Sequence, residues 1–342
     1  MKVGVLSGGG DAPGLNAVIR AVVRKGIKDY GYEIVGIKDG WRGLLENEYI
    51  PLDLEATSGI LPRGGSIIGT SRTNPFKREG DPKKVLENAK KMGLDAVVAI
   101  GGDDTLGVAL RMNELGLKCV GVPKTIDNDL SGTDYTFGFM TAVSIATEAI
   151  DRLHTTAETH HRIMVLEVMG RYAGWIALEA GLAGGADAIL IPEQPFSIEE
   201  ICGYIKQRQK RGKNFSIIVV AEGAKPKGSK EMVYKEGVDE FGHIRLGGMG
   251  HFVANEIEKA TGIETRVVVL GHLQRGGSPI PFDRILATRL GIGAIDLVYE
   301  KKFGHMPALK GNDIVSVPLK DVLGKRKTVS PELYNMASIF FG

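Results

Sequence analysis

Cysteine is scarce in this sequence, and long apolar runs are missing. Cys119 and Cys202 are the only cysteines among 342 residues, which excludes a disulfide framework and fits a reducing compartment. No segment approaches the roughly 20 apolar residues that a membrane-spanning helix needs. The first apolar stretch, residues 3–6, is too short for the core of a signal peptide. We therefore expect a cytoplasmic protein with no membrane partner.

An excess of charge of either sign is also missing. The formal net charge is +2, which gives no reason to expect nucleic acid as a partner. Hydrophobic residues make up 43% and charged residues 25% of the chain, the balance of a well-packed globular protein. A chain of this length is expected to form two closely packed domains.

Short β-branched segments alternate with amphipathic helical patterns along most of the chain. The predicted strands are residues 3–6, 33–37, 96–100, 119–122, 163–168, 188–191, 216–221 and 267–270. Their almost continuous apolar character is typical of parallel strands covered on both faces. A further strand at 314–317 and a helix at 331–338 are predicted in the tail. The alternation predicts an α/β fold with doubly wound sheets.

The first motif with chemical content is GGGDAPG at residues 8–14, between a strand and a helix. Glycines let the backbone approach a phosphate, and the helix N-terminus supplies free N–H groups and a positive dipole. The motif matches neither G-x-G-x-x-G nor a Walker A sequence. Taken alone, it fits phosphate binding and a tight structural turn equally well.

The second motif is GGDDT at residues 101–105, again at the end of a predicted strand. Asp103 suits Mg²⁺, which favours one or two carboxylates together with phosphate oxygens. The alternative is that Asp103 or Asp104 caps the next helix. Because two adjacent carboxylates exceed what a cap needs, we favour the metal site.

The third motif is PKTIDND at residues 123–129. If this segment is extended, alternate side chains face the same way, so Thr125, Asp127 and Asp129 line one surface. A carboxylate there is suited to act as a general base on a sugar hydroxyl. An acidic loop in solvent is the weaker alternative.

A fourth group of residues suggests an anionic ligand. Its members follow or begin predicted strands: Arg162, the sequence Met169-Gly170-Arg171, Glu222, and the sequence GHLQRGG at residues 271–277, which contains His272 and Arg275. Arginine recognises phosphate through paired N–H donors. Several arginines at strand ends therefore predict a phosphorylated ligand.

Together these blocks closely resemble the phosphofructokinases, from about residue 3 to about residue 290. Agreement is strongest in GGGDAPG, GGDDT, PKTIDND, HRIMVLEVMGRYAG and LGHLQRGGSPIPFDR. The resemblance implies two mostly parallel, three-layer αβα domains. It places the phosphoryl donor and Mg²⁺ on residues 1–138 plus 251–305. Fructose 6-phosphate is placed on residues 139–250 plus 306–342.

The resemblance also implies a role for each matching residue. Asp127 is the expected base for the 1-hydroxyl of fructose 6-phosphate, Asp103 the Mg²⁺ ligand, and Asp129 its helper. Thr125 and Arg171 are expected to contact the transferring phosphoryl group. The remaining expectations are Gly10 and Arg72 for the donor, Arg162, Arg266, His272 and Arg275 for the 6-phosphate, and Met169, Gly170 and Glu222 for the sugar. Members of the family share active sites between subunits, so a homodimer or homotetramer is expected.

Two residues bear on the donor. The ATP-using members of the family have Gly at the positions of Asp104 and Lys124, and the Asp–Lys pair resembles the pyrophosphate-dependent members. A carboxylate at Asp104 adds bulk and like-charge repulsion against ATP, and Lys124 supplies a cation for pyrophosphate. Some members with Lys at this position use ATP, so Asp104 carries most of the argument.

Three alternatives to a pyrophosphate-dependent enzyme remain open from the sequence. The first is the ATP-dependent enzyme of the same family, with Asp104 tolerated. The second is a distantly similar lipid or NAD kinase, which should lack both PKTIDND and GHLQRGG. The third is a non-catalytic sugar-phosphate sensor, which should have lost Asp127 or Asp103.

Overall fold

The computed structural model describes residues 1–229 and 248–342, together with the backbone of the segments 235–238 and 244–246. The chain forms two compact units. Unit 1 comprises Met1–Ile126, Leu130–Met140 and Arg275–Arg326. Unit 2 comprises Asp127–Asp129, Thr141–Gln274 and Lys327–Gly342.

The strands follow the chain in this order: β1 (Lys2–Ser7), β2 (Glu33–Ile37), β3 (Tyr49–Leu52), β4 (Ala96–Gly101), β5 (Cys119–Pro123), β6 (Ile163–Val168), β7 (Ala188–Leu190), β8 (Ser216–Ala221), β9 (Lys235–Val238), β10 (Ile244–Leu246), β11 (Thr265–Val269), β12 (His305–Lys310) and β13 (Asp313–Pro318).

The helices are α1 (Leu15–Tyr30), α2 (Trp41–Glu46), α3 (Asp81–Lys91), α4 (Asp103–Glu114), α5 (Phe139–His160), α6 (Trp175–Ala183), α7 (Ile198–Lys210), α8 (Met249–Thr261), α9 (Pro281–Tyr299), α10 (Leu319–Val322) and α11 (Pro331–Ser338), with a short 3-10 helix at Gly271–Arg275. Among the helices so described, none is long and apolar enough to cross a membrane.

The main sheet of unit 1 has the strand order β3-β2-β1-β4-β5. β1 pairs in parallel with β2 and β4, and β4 with β5, whereas β3 runs antiparallel to β2 at the edge. The strand order reverses between β1 and β4. In open parallel sheets, ligands bind at the carboxyl ends of the strands that flank such a reversal. This arrangement puts residues 8–14 and 101–105 at the expected position for a ligand.

Helices cover both faces of this sheet. Val5 lies in a buried cluster that α1 and α9 complete, whereas its neighbour Leu6 lies in a second cluster with residues of α2, α3 and α4. The alternation follows from the two-residue period of a strand. Each fully buried aliphatic side chain stabilises the fold by about 1.5–3 kcal/mol. Unit 1 is therefore a three-layer αβα structure.

An antiparallel hairpin of β12 and β13 completes unit 1. β12 packs beside β5, and Met306 and Leu319 share a buried cluster with Leu106. A Cβ on Gly121 of β5 would lie 2.8 Å from the Leu106 side chain and 3.0 Å from that of Leu319. Glycine at this position therefore allows the close packing of the hairpin.

Unit 2 contains a parallel sheet of order β11-β6-β8-β7. Val165 of β6 lies in a buried cluster with residues of α7 and α8. On the opposite face, α6 packs closely on β7, where a Cβ on Gly181 would lie 2.7 Å from Ile189. β9 and β10 form a separate antiparallel pair. Helices on both faces again give three layers.

The α/β fold class with mostly parallel three-layer sheets is confirmed, as are the strands predicted within both sheets. The prediction missed β3, β12, β9 and β10. Pro51 lies within β3 and Pro307 within β12. Proline within an apolar run argues against a strand, so the sequence did not predict either one. Both strands avoid a central position, since β3 lies at a sheet edge and β12 in a two-stranded hairpin.

The predicted domain boundaries differ from the two units at several places. Residues 251–274 belong to unit 2, because α8 packs on that sheet and β11 pairs with β6. Residues 306–326 belong to unit 1, because β12 packs beside β5 and α9. Asp127–Asp129 also groups with unit 2, although the residues on both sides of it belong to unit 1.

Candidate active site

The turn at residues 8–14 is built from backbone contacts within unit 1. The Gly8 N–H donates to the Ile100 carbonyl at 2.9 Å, and the Gly9 N–H to the Ser71 carbonyl at 2.9 Å. Gly9 has φ +81° and Gly14, which precedes α1, has φ +112°. These left-handed conformations favour glycine. The turn therefore needs its glycines for conformation, whatever ligand it holds.

Lys124 and Arg275 both approach Gly10. The Lys124 side chain is only 4% exposed, and its Nζ donates to the Gly10 carbonyl. On the other side, a Cβ on Gly10 would overlap the guanidinium of Arg275. Two cations thus converge on one backbone residue of the turn. Among the residues predicted for the 6-phosphate, Arg275 lies in unit 1 and the others lie in unit 2.

Asp103 and Asp104 are the first two residues of α4. The helix is capped by Gly102, which has an extended conformation and makes no side-chain cap bond. Capping therefore does not account for the two carboxylates, although both gain from the helix dipole. Asp103 is exposed and one of its oxygens accepts from the Gly324 N–H at 3.3 Å. Thr105, the next residue, is buried beneath Gly8 and Gly101.

Arg72 and Thr125 both follow segments that hold the turn in place. Arg72 comes directly after Ser71, which forms a β-bridge with Gly8. The Thr125 carbonyl accepts from the Thr136 hydroxyl at 2.7 Å. Both side chains are partly exposed, so each is accessible to a ligand of unit 1.

The acidic segment 125–129 is not fully extended. It turns at residues 126–127, and Asn128 has φ +51°. The alternation nevertheless survives, because Thr125, Asp127 and Asp129 are partly exposed whereas Ile126 and Asn128 are buried. The turn orients the acidic side chains toward solvent by burying the residues between them.

Arg162 and Arg266 lie side by side at the start of two paired strands of unit 2. β11 pairs with β6 so that Arg266 faces Met164, two residues after Arg162. Glu264 joins the two arginines: Arg162 Nε donates to its carboxylate at 2.7 Å, and the Arg266 guanidinium contacts the other oxygen. The hydrogen bond from Arg162 lowers the pKa of Glu264, which therefore stays ionised at neutral pH.

The ends of β6 and β8 meet in a backbone contact. The Gly223 N–H donates to the Gly170 carbonyl at 3.2 Å, and the Glu222 N–H to the Val168 carbonyl at 2.9 Å. Gly170 has φ +137°, and a Cβ there would lie 2.7 Å from the Ala173 carbonyl. This contact holds Met169, Gly170 and Glu222 together, and their role in binding a sugar stays a prediction.

Arg171 lies directly after this contact. Its Nε is buried and has no hydrogen-bond partner among the residues that the structure describes. An orphaned buried donor on a guanidinium costs free energy. The assignment of Arg171 to an anionic ligand stays a prediction.

The 3-10 helix Gly271–Arg275 holds the last predicted residues. His272 is exposed. Gln274 is fully buried, donates to the Gly271 carbonyl at 3.0 Å and accepts from the Met169 N–H at 3.3 Å. Gln274 therefore ties the segment that carries His272 to the segment that carries Met169.

Comparison with known proteins settles the family. Residues 2–298 match the family described as Phosphofructokinase. Over the full length of both chains, the sequence is 58% identical to the pyrophosphate–fructose 6-phosphate 1-phosphotransferase of Streptomyces coelicolor. It is 50% identical, over 98% of both chains, to ATP-dependent 6-phosphofructokinase 3 of the same organism. The chain belongs to the phosphofructokinase family.

The fold agrees with this assignment. A structure of phosphofructokinase from Saccharomyces cerevisiae matches 94% of this chain with a TM-score of 0.82 and 33% identity. This chain spans 45% of that longer chain. A phosphofructokinase of known structure thus shares the architecture described above, and the fold alone does not assign the donor.

Asp103 is the metal ligand that the sequence predicts. No group of three or more His, Cys, Asp or Glu side chains suited to a metal occurs in the described parts of the chain. Asp103 is an exposed carboxylate at a helix N-terminus, which fits Mg²⁺ because that ion keeps few protein ligands and several from phosphate and water.

Both cysteines of this phosphofructokinase are buried and free. Burial raises the pKa of the Cys119 and Cys202 thiols, and a thiol of raised pKa is a poor nucleophile. Both side chains lie in the hydrophobic interior, where they act as small core residues.

Sequence reasoning missed three residues that contact predicted site residues of this phosphofructokinase. Glu264 bridges Arg162 and Arg266, Gln274 joins two loops, and Lys327 bonds Asn128 at 2.8 Å. The spacing of two residues between Glu264, just before β11, and Arg266 offered a signal for the first. Nothing in the sequence links residue 327 to residue 128, because the pair is 199 positions apart.

Proposed function

We propose that this chain transfers a phosphoryl group from pyrophosphate to the 1-hydroxyl of fructose 6-phosphate, giving fructose 1,6-bisphosphate and phosphate, reversibly. The observation that carries the proposal is full-length identity of 58% to an enzyme named for this reaction, in a chain that has Asp104 and Lys124. A relative from Dictyoglomus thermophilum with the same name is 53% identical over 100% of this chain.

The residues of unit 1 are assigned to the donor and the metal. Asp104 lies in the first turn of α4. Its negative charge repels the extra phosphate of a nucleotide, and its side chain takes up space that the nucleotide needs. Lys124 places its charge on the turn at Gly10. Arg72, Thr125 and the N–H groups of the turn are the further donor contacts. Asp103 would hold Mg²⁺, whose charge neutralises phosphate oxygens when it is bound.

The residues of unit 2 are assigned to the sugar phosphate and to proton transfer. Asp127 takes the proton of the 1-hydroxyl as the oxygen forms its bond to phosphorus and the bond to the leaving phosphate breaks. Asp129 supports the metal, and Arg171 neutralises charge on the transferring group. Met169, Gly170 and Glu222 bind the sugar, and Arg162, Arg266 and His272 bind the 6-phosphate. Arg275 is also assigned to the 6-phosphate.

The assembly and compartment follow from the same proposal. The enzyme is a homodimer or homotetramer in which Arg162 and Arg266 reach the 6-phosphate bound by a neighbouring subunit. Its phosphorylated substrates and its two free, buried cysteines suit the cytoplasm.

The second candidate is the ATP-dependent reaction of the same sugar. It is favoured by the relative from Streptomyces coelicolor that is 50% identical and named for ATP. A non-catalytic sensor is disfavoured, because Asp127 and Asp103 are both retained.

A donor panel tests the proposal. Purified protein is assayed with fructose 6-phosphate and Mg²⁺ against pyrophosphate, ATP and ADP, and product is measured as fructose 1,6-bisphosphate. We expect kcat/KM for pyrophosphate to exceed that for ATP by about a hundredfold or more. Turnover with ATP at least equal to that with pyrophosphate would assign the second candidate instead.

A further inference from the structure

Lys327 contacts the acidic segment of unit 2 through both its side chain and its backbone. Its Nζ donates to Asn128 Oδ1 at 2.8 Å, and its N–H donates to the Asp129 carbonyl at 2.8 Å. Its own carbonyl accepts from Trp175 Nε1 at 2.9 Å. One tail residue is thereby bonded to two consecutive residues that follow Asp127.

Asn128 is the residue on which this segment turns. It is 2% exposed and has φ +51°. A residue other than glycine in the left-handed region persists only where its surroundings hold it, and asparagine tolerates the region best when its side chain is hydrogen-bonded. The Lys327 ammonium supplies a charge-assisted bond of this kind. Because Asn128 is fixed inward, its neighbours Asp127 and Asp129 are directed outward.

The tail that carries Lys327 is itself anchored at the start of α6. The Glu193 carboxylate accepts from the Val329 N–H at 2.9 Å and from the Gly174 N–H at 3.1 Å. The Lys327 Nζ also lies 5.6 Å from the centre of the Trp175 ring, a distance at which a cation is attracted to an aromatic face. Burial raises the pKa of Glu179 on α6, and the charge of Lys327 acts in the opposite direction. Lys327 therefore interacts with α6 as well as with Asn128.

We propose that Lys327 is a positioning residue for Asp127: it fixes the left-handed turn at Asn128 and so holds the Asp127 carboxylate where it accepts the proton of the sugar hydroxyl. The proposal rests on the proposed function of Asp127. Lys327 itself touches neither the sugar nor the donor in this role. Small displacements of a catalytic group reduce turnover strongly, by about a hundredfold for a displacement near 1 Å.

The test compares Lys327→Met with Lys325→Met. Methionine keeps most of the side-chain volume and removes the charge, and Lys325 is an exposed lysine of the same tail. We expect Lys327→Met to lower kcat by about tenfold to a hundredfold, while KM for fructose 6-phosphate and for pyrophosphate changes by less than about threefold. Lys325→Met should match the wild type. Loss confined to kcat distinguishes positioning from weakened binding.

A second variant removes the other partner of the hydrogen bond between Lys327 and Asn128. Asn128→Gly permits the left-handed conformation but removes the acceptor of the Lys327 bond. We expect it to lower kcat as Lys327→Met does, and the double variant to fall no further, because both changes remove one interaction. Intrinsic fluorescence gives a readout independent of turnover, since Lys327 contacts Trp175: its emission should change in Lys327→Met and stay unchanged in Lys325→Met.

Each result decides the proposal. If Lys327→Met keeps the kcat of Lys325→Met, or if kcat losses in the double variant add fully, Lys327 does not position Asp127. If Lys327→Met fails to fold, a normal kcat in folded Asn128→Gly overturns the proposal just as firmly. Turnover by the wild type reports on the proposed function separately, so an active wild type with an active Lys327→Met removes this inference alone.

Discussion

The buried ammonium of Lys124 donates a hydrogen bond to the backbone carbonyl of Gly10. A lysine that is 4% exposed must satisfy its charge locally, because burial of an unpaired ammonium is costly. In this position Lys124 supports the glycine turn and also adds positive charge to it. Asp104, by contrast, is partly exposed at the first turn of α4. The two residues that distinguish the donors should therefore respond differently to substitution.

We expect Asp104→Gly to raise kcat/KM for ATP by about tenfold or more, because it removes both bulk and like charge. The effect of Asp104→Gly on kcat/KM for pyrophosphate should be smaller. Lys124→Met, which keeps the buried volume, should lower kcat/KM for both donors, because the turn itself loses a bond. Steady-state kinetics of both variants with each donor make the comparison. An Asp104→Gly enzyme with unchanged use of ATP would show that this carboxylate does not select the donor.

Asp127 should be needed in both directions of the reaction. We expect Asp127→Ser to lower kcat by about 10²–10⁴-fold, the usual effect of losing a general base, with a much smaller change in KM. We expect kcat to fall equally in the forward reaction, fructose 6-phosphate with pyrophosphate, and in the reverse reaction, fructose 1,6-bisphosphate with phosphate. The reason is that one proton transfer serves both directions. Asp134→Asn, on an exposed carboxylate of unit 1, is the control. A nearly normal kcat in Asp127→Ser would remove Asp127 from the mechanism.

Glu264 should compete with the sugar phosphate for two arginines. It is ionised at neutral pH and bonded to Arg162 and Arg266, so it would occupy donors that the proposed 6-phosphate site could use. We expect Glu264→Gln to lower KM for fructose 6-phosphate by about two- to fivefold with little change in kcat, a modest effect because the pair is partly exposed. Kinetics at fixed pyrophosphate measure it. A raised KM would mean that Glu264 mainly orients the arginines.

The active site should be shared between subunits. Asp127→Ser and Arg266→Ser proteins should each be nearly inactive alone. When their subunits exchange, one site of a mixed dimer collects both changes and the other has neither. Activity should recover to about a quarter of the wild type under random exchange, because half of the dimers are mixed and half of their sites are intact. Exchange verified by mass measurement, with no recovery of activity, would place both residues in one chain.

The sequence by itself determined the layers of this protein and most of the proposed chemistry. Strands such as 96–100 and 216–221 are continuous apolar runs, and a run of that kind has few alternatives to a covered parallel strand. The glycine turns and the acidic segment 125–129 are also local patterns, since their conformation and chemistry depend on neighbouring residues. These features can be predicted from the sequence because the interactions that specify them join residues that are close together in the chain.

Only the tertiary structure decided which distant residues support that chemistry. The assignment of residues 251–274 and 306–326 to their units follows from strand pairing and packing, which no local pattern encodes. Arg275 lies against Gly10, and Lys327 bonds Asn128 across 199 positions. A hydrogen bond between residues so far apart leaves no periodic pattern in the sequence, because the chain between its partners can take many conformations. The fold selects one of them, and with it the residues that hold Asp127 in place.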